Sequence, residues 1–255
     1  TNDYFSATGG AWGMTPTWVS ELLPTNVFGV LPPSVLLRLL PANLLRSFNV
    51  RYVIAGKEDA PSRNLVRIVG GYHVVKELED VLVFANDDAL PRAYFASHLF
   101  TYSREAFFAG MIENGAPLRS AFVENAPELR PGPLPEARIR DEFWSPNVNR
   151  FTVDAPRGGL LVVAMTWFPE WRASVDGRPA RVLRVNGAVQ AIEVRPGAKT
   201  VALSFVPRSL YQGVALAIVG LAIFIVWSLR LVRGAGSAES ARTRRPGIGA
   251  RGGIV

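Results

Sequence analysis

Leu160–Val206, LLVVAMTWFPEWRASVDGRPARVLRVNGAVQAIEVRPGAKTVALSFV, decides the fold class of this chain. Leu160–Met165 is continuously apolar, as a strand covered on both faces requires. Trp171, Ala173 and Val175 instead alternate with Arg172, Ser174 and Asp176, the pattern of a half-exposed strand. Asp176-Gly177 and Asn186-Gly187 supply the left-handed backbone of tight hairpin turns, and Pro196-Gly197 marks another reversal. Further strands are expected at Ala180–Val185, Val189–Val194 and Thr200–Val206, preceded by Ala137–Phe143 and Arg150–Asp154. Short strands at this spacing predict a β-sandwich or jelly roll over 136–207. Its last three strands read as a meander running directly into the next segment.

That segment is apolar. Gly213–Leu229, GVALAIVGLAIFIVWSL, carries no charge, and extended over 209–232 it reaches the roughly 20 residues that cross a bilayer core. Tyr211 and Trp227 bracket it, about 24 Å apart at 1.5 Å per residue, a spacing suited to interfacial aromatics. Ser209 is the expected N-cap. A buried soluble helix would normally keep a polar face, which this run lacks. Arg230, Arg233, Arg242, Arg244, Arg245 and Arg251 all follow the span, so residues before about 209 are expected outside the cytoplasm and the tail inside. The tail, 233–255, holds few large apolar residues, and a disordered basic segment is expected.

Upstream the pattern is mixed. Leucines within Pro33–Phe48 suit a helix interrupted at Pro41, and Asn49–Ala55 reads as a strand. His73–Glu77, Val81–Ala85, Arg92–Ser97 and Ser120–Glu124 are further strand candidates. Ser103 is placed to cap a helix running to Ile112, closed by Asn114-Gly115. The expected organisation is therefore mainly β with an α+β part. Residues 1–126 would form a partial N-terminal segment and a small α/β module, and the Pro-rich stretch 127–135 a linker to the sandwich. The chain opens at Thr1 with no signal-peptide pattern, and a fragment of a longer protein is expected.

Charge and motifs narrow the function classes. Residues Arg230–Val255 hold six Arg and one Glu, supplying +5 of the formal +7, so the rest of the chain has no basic stripe of the kind nucleic-acid binding needs. Cysteine is absent, which removes disulfides, thiolate zinc sites and cysteine nucleophiles. His73 and His98 lack ligand spacing to carboxylates. Asp87-Asp88 suggests a turn rather than an acid pair, because adjacent residues in a strand point to opposite faces. The glycine pairs form neither GxGxxG nor a P-loop, and no GxSxG elbow occurs. No metal site, cofactor or catalytic residue is expected.

Trp167, Phe168 and Trp171 around Pro169 form the most suggestive cluster. Exposed aromatics stack on sugar faces, with Asp176, Arg184 and Asn186 as possible polar partners for the hydroxyls. Large aromatics beside a core strand also bury area and fix corners, and the alternation places Trp171 on the core side with Ala173 and Val175.

NVRYVI (Asn49–Ile54), ALPRAYF (Ala89–Phe95), PNVNRFTV (Pro146–Val153), the block Leu160–Val201 and FVPRSLYQG before the apolar run follow one another in an order that resembles the C-terminal extracytoplasmic region of the bacterial YfhO-like membrane proteins. The resemblance covers about residues 45–232. That family belongs to the C-type glycosyltransferases, which use polyprenyl-phosphate sugars. The resemblance implies that the parent protein transfers sugar in the cell envelope and that this chain is its non-catalytic end. The family's catalytic carboxylates are expected in the first outer loop of an N-terminal multi-helix region, so none is carried over. Implied partners are the lipid bilayer, the remainder of the parent membrane protein, and a cell-envelope glycan or polyprenyl-linked sugar. The alternative is a membrane-anchored sandwich that binds a cell-envelope carbohydrate without catalysis.

Overall fold

The computed structural model describes residues 41–57, 64, 66–67, 70–126 and 128–242, the last without the side chains of 209 and 228–242. Two units follow one another along the chain, meeting between Val206 and Pro207. The fold is mostly β, with one apolar helix at the C-terminal side.

The first unit opens with a short helix, α1 (Asn43–Ser47), whose Leu44 and Leu45 are buried. The part of the expected Leu-rich helix before residue 41 lies outside the described residues. Strands β1 (Tyr52–Gly56), β2 (Tyr72–Glu77) and β3 (Val81–Asn86) form an antiparallel sheet in the order β1-β3-β2. Next come β4 (Ala93–Phe95), β5 (His98–Thr101) and helix α2 (Arg104–Phe107). The Ser103 hydroxyl accepts from the Ala106 N–H at 3.1 Å, the cap its position predicts. Beyond Phe107 the helix widens into a π-turn, Phe108–Ile112, closed by the Glu113 N–H donating to the Phe108 carbonyl. Gly110 is required here, because a Cβ would run into the Phe122 ring, which stacks on Phe100 and meets Phe107 edge-on.

The remaining strands are β6 (Ser120–Val123), β7 (Gly132–Pro133), β8 (Arg138–Trp144), β9 (Val148–Ala155), β10 (Gly159–Thr166), β11 (Trp171–Val175), β12 (Arg178–Ala180), β13 (Val182–Val185), β14 (Val189–Val194) and β15 (Ala198–Phe205). They build a seven-stranded sheet, β4-β10-β14-β13-β6-β5-β7, and a five-stranded sheet, β12-β11-β15-β9-β8. Strand β10 is covered on both faces, as its unbroken hydrophobicity predicts. Leu161 and Val163 face Phe151, Trp171, Val201 and Leu203 of the five-stranded sheet. Leu160 and Val162 face the opposite way, toward Phe84, Phe107 and Phe122. Each such fully buried aliphatic side chain is worth roughly 1.5–3 kcal/mol relative to exposure. Asp176 (φ 49°) and Asn186 (φ 52°), each followed by a positive-φ glycine, form the two predicted hairpin turns.

Four expectations are corrected. The stretch 127–135 is not a domain boundary: β4, β5 and β6 share the seven-stranded sheet with β10, β13 and β14. Gly132 and Pro133 pair with Leu99 and His98 at its edge, a position proline tolerates. The last three strands are not a meander either. The chain breaks at Arg181, so β12 lies in one sheet and β13 in the other, and β15 returns to the five-stranded sheet between β11 and β9. Ser209 is not the cap, since the final helix, α3, runs from Arg208 to Arg242, and the Pro207 carbonyl accepts from the Leu210 and Tyr211 N–H groups. Finally, the segment after 232 stays helical to Arg242, because extending an existing helix fixes one residue per new hydrogen bond and avoids a new nucleus. The rest of the expected disordered tail, 243–255, lies outside the described residues.

Candidate functional site

The six residues singled out for carbohydrate contact do not form one site. Trp171 is buried at 6% exposure, with its ring 5.3 Å from that of its cross-strand partner Phe205. It is a core side chain. Asp176 sits at the β11–β12 turn, where its Oδ1 accepts from the N–H groups of Lys199 and Thr200 and from the Thr200 hydroxyl. These bonds hold its carboxyl below the ordinary carboxylate range, the backbone donors contributing most. Asn186 is fully buried at the β13–β14 turn, its Oδ1 accepting from the Phe122 N–H at 2.9 Å and its amide donating to the Ser120 carbonyl. That side chain ties the hairpin to β6 and has no face for a ligand. Phe168 stands exposed in the turn after β10.

Trp167 and Arg184 both line a cleft of about 230 Å³, together with Glu124, Asn125, Arg181, Val182 and Leu183. Its walls come from the end of β6, the start of β13 and the residue after β10. Backbone bonds fix all three: the Glu124 N–H donates to the Arg184 carbonyl, and the Trp167 N–H to the Ala188 carbonyl. Arg184 donates through Nε and a terminal nitrogen to the Gly187 carbonyl and lies 3.3 Å from the Glu124 carboxylate. Arg181 pairs with Glu128 at 2.8 Å and donates to the Asn125 carbonyl. The result is a half-exposed indole over an apolar floor, with a rim of compensated charges. Such a surface can stack on a flat apolar face and offer hydrogen bonds at its edge; it has no unpaired base for proton transfer.

Glu124, Asn125 and Arg181 were not singled out in the sequence. Their one local signal is Asn125, a turn-forming residue after a strand, which adopts φ 51°. Elsewhere, Asp87 and Asp88 diverge as a turn requires: Asp87 pairs with His73 and Asp88 with Arg46, both at 2.8 Å. Tyr72, beside Arg46 and Asp88, is pushed up to about 12, chiefly by burial. Among the described residues no group of three or more His, Asp or Glu is placed to hold a metal ion.

Helix α3 presents a second candidate surface. Its window Leu210–Trp227 has a mean hydropathy of 2.2 and none of it is buried. Length and composition suffice for a membrane crossing. No family model, no curated protein and no solved structure matches the chain.

Proposed function

We propose that this chain is the non-catalytic extracytoplasmic end of an integral membrane protein of the glycosyltransferase type, held to the bilayer by α3. The observation that carries the reading is the uncovered apolar helix directly following a closed β unit. An uncharged 18-residue window of mean hydropathy 2.2 with no protein cover suits a hydrocarbon environment. The arginines beyond the span support an inside C terminus. The ordered resemblance of Asn49–Ile54, Ala89–Phe95, Pro146–Val153 and Leu160–Val201 to YfhO-like proteins supports the link to sugar transfer. The role of the β unit would be to stand beside a catalytic membrane region and shape access to it.

Two experiments test this. A C-terminal reporter active only in the cytoplasm should be active, and one active only after export should be silent; the reverse overturns the topology. Purified residues 1–255 should transfer no sugar from a polyprenyl-phosphate donor, and transfer by this chain alone overturns the non-catalytic role.

A second reading, an anchored carbohydrate-binding module, is favoured by the Trp167 cleft. There the indole would stack on a pyranose while Glu124, Arg181 and Arg184 meet its hydroxyls. Glycan binding lost in Trp167→Ala with the fold intact supports this reading; unchanged binding removes it.

A further inference from the structure

We propose that the turn Trp167–Glu170 is a membrane-contact loop that seats the β unit on lipid head groups, with Phe168 as the inserted side chain. The inference rests on the reading of Leu210–Trp227 as a span. Its starting point is a backbone bond: the Val206 N–H donates to the Glu170 carbonyl at 3.1 Å, so this turn borders the last residue of the β unit. Only four peptide steps separate Val206 from Leu210, where the apolar window begins. At ~3.6 Å or less per step that is about 14 Å of chain, whatever angle the helix takes. The head-group layer on each side of the hydrocarbon is itself roughly 5–8 Å deep. The turn is therefore tethered within reach of the interface.

The two ends of the five-stranded sheet differ in the way this placement requires. At the Val206 end lie the turn from Phe168 to Trp171 and the turn Ser145–Val148, whose Asn147 carbonyl accepts from the Phe205 N–H. Their exposed residues are Phe168, Pro169, Pro146 and Asn147, and the one charged residue in the two turns, Glu170, is half-buried. The turns at the opposite end expose Arg157, Asp176, Arg178 and Arg195. Phe168 is 44% exposed, in a turn made rigid by Pro169 and by Arg172, which donates to the Pro169 carbonyl at 3.1 Å. A large apolar side chain held out by such a turn, with Trp167 beside it and Arg172 at the rim, has the chemistry of an interfacial anchor.

The absence of cysteine allows single-cysteine labelling without background. Phe168→Cys, Arg195→Cys and Ile218→Cys would each be made in the full chain, labelled with bimane and reconstituted into phosphatidylcholine–phosphatidylglycerol vesicles. Quenching is read from lipids carrying a nitroxide either near the head group or deep in the acyl chain, and from aqueous iodide. The expected result is loss of emission to the head-group nitroxide at 168, to the acyl-chain nitroxide at 218 and to neither at 195, with iodide quenching 195 alone. Iodide quenching at 168 like that at 195 overturns the proposal. So does shielding of 168 from both quenchers, which would mean a protein contact, and so does equal lipid quenching at 168 and 195. Failure of lipid quenching at 218 would instead refute the span, which separates the two ideas.

Discussion

Replacing Trp171 with alanine should unfold the sandwich well before it affects any ligand. A Trp buries at most roughly 250 Å², and only 6% of this residue remains exposed, so the change removes about 200 Å² of mostly apolar contact beyond what alanine keeps. At ~25 cal/mol per Å² this is about 5 kcal/mol as an upper bound. The ring contact with Phe205 adds a little, and partial collapse of Ala173, Val175 and Leu203 around the void takes some back. The expected loss is about 3–5 kcal/mol, the usual range for emptying a core aromatic site. The assay is equilibrium urea unfolding of the full chain in mild detergent, followed by the β-sheet far-UV signal. With a slope of ~2 kcal/mol per M, the midpoint should fall by about 1.5–2.5 M. A shift below ~0.5 M combined with loss of glycan binding would refute the burial argument and make Trp171 a ligand residue.

Gly110→Ala should destabilise and broaden the same transition, because its Cβ meets the Phe122 ring, which is locked by Phe100 and Phe107; wild-type unfolding would show that the ring can move aside. Gln190→Met should stabilise by about 1–2 kcal/mol, since Gln190 is fully buried with neither amide atom bonded and methionine keeps its volume; a destabilised variant would point to a polar partner for the amide. Asp176→Asn tests linkage. The carboxyl of Asp176 is held below its ordinary value, so its stabilisation is present above about pH 4 and fades as pH falls through the lower folded-state value. The asparagine variant, which keeps an acceptor and tolerates positive φ, should show a shallower loss of stability on acidification; an identical acid profile would refute the assignment.

The strands were legible because each carries its own signal. Trp171–Val175 and Val189–Val194 match their expected limits, and Asp176-Gly177 and Asn186-Gly187 turn as such pairs do. Which sheet a strand joins was not legible. Alternation reports that one face is buried, but both sheets of a sandwich bury one face against the same core, so the crossing at Arg181 leaves no periodic trace. Strand β5, His98–Thr101, has no clear local signal for a related reason. It is four residues long, and its partners, parallel β6 and antiparallel β7, lie more than twenty positions on. Once β5 and β6 enter the seven-stranded sheet, a proline-rich stretch that reads as a linker becomes an edge.

The candidate site failed to show in the sequence for the same topological reason. Trp167 and Arg184 are conspicuous residues, but the walls that make a cleft of them, Glu124 and Asn125, arrive from a strand joined to β13 through one register pair, Val185 with Val123. Nothing local in residues 120–125 announces that neighbour. The polar residues beside the aromatics differ: Asp176 and Asn186 form turns, as the sequence predicts, and their bonds there serve the fold. The Oδ1 of Asp176, which caps the N–H groups of Lys199 and Thr200, and the fully buried amide of Asn186, which bridges Phe122 and Ser120, cannot turn to a ligand without giving up structure. The two proposals therefore rest on side chains that the turn leaves unused, the exposed ring of Phe168 and the half-exposed indole of Trp167.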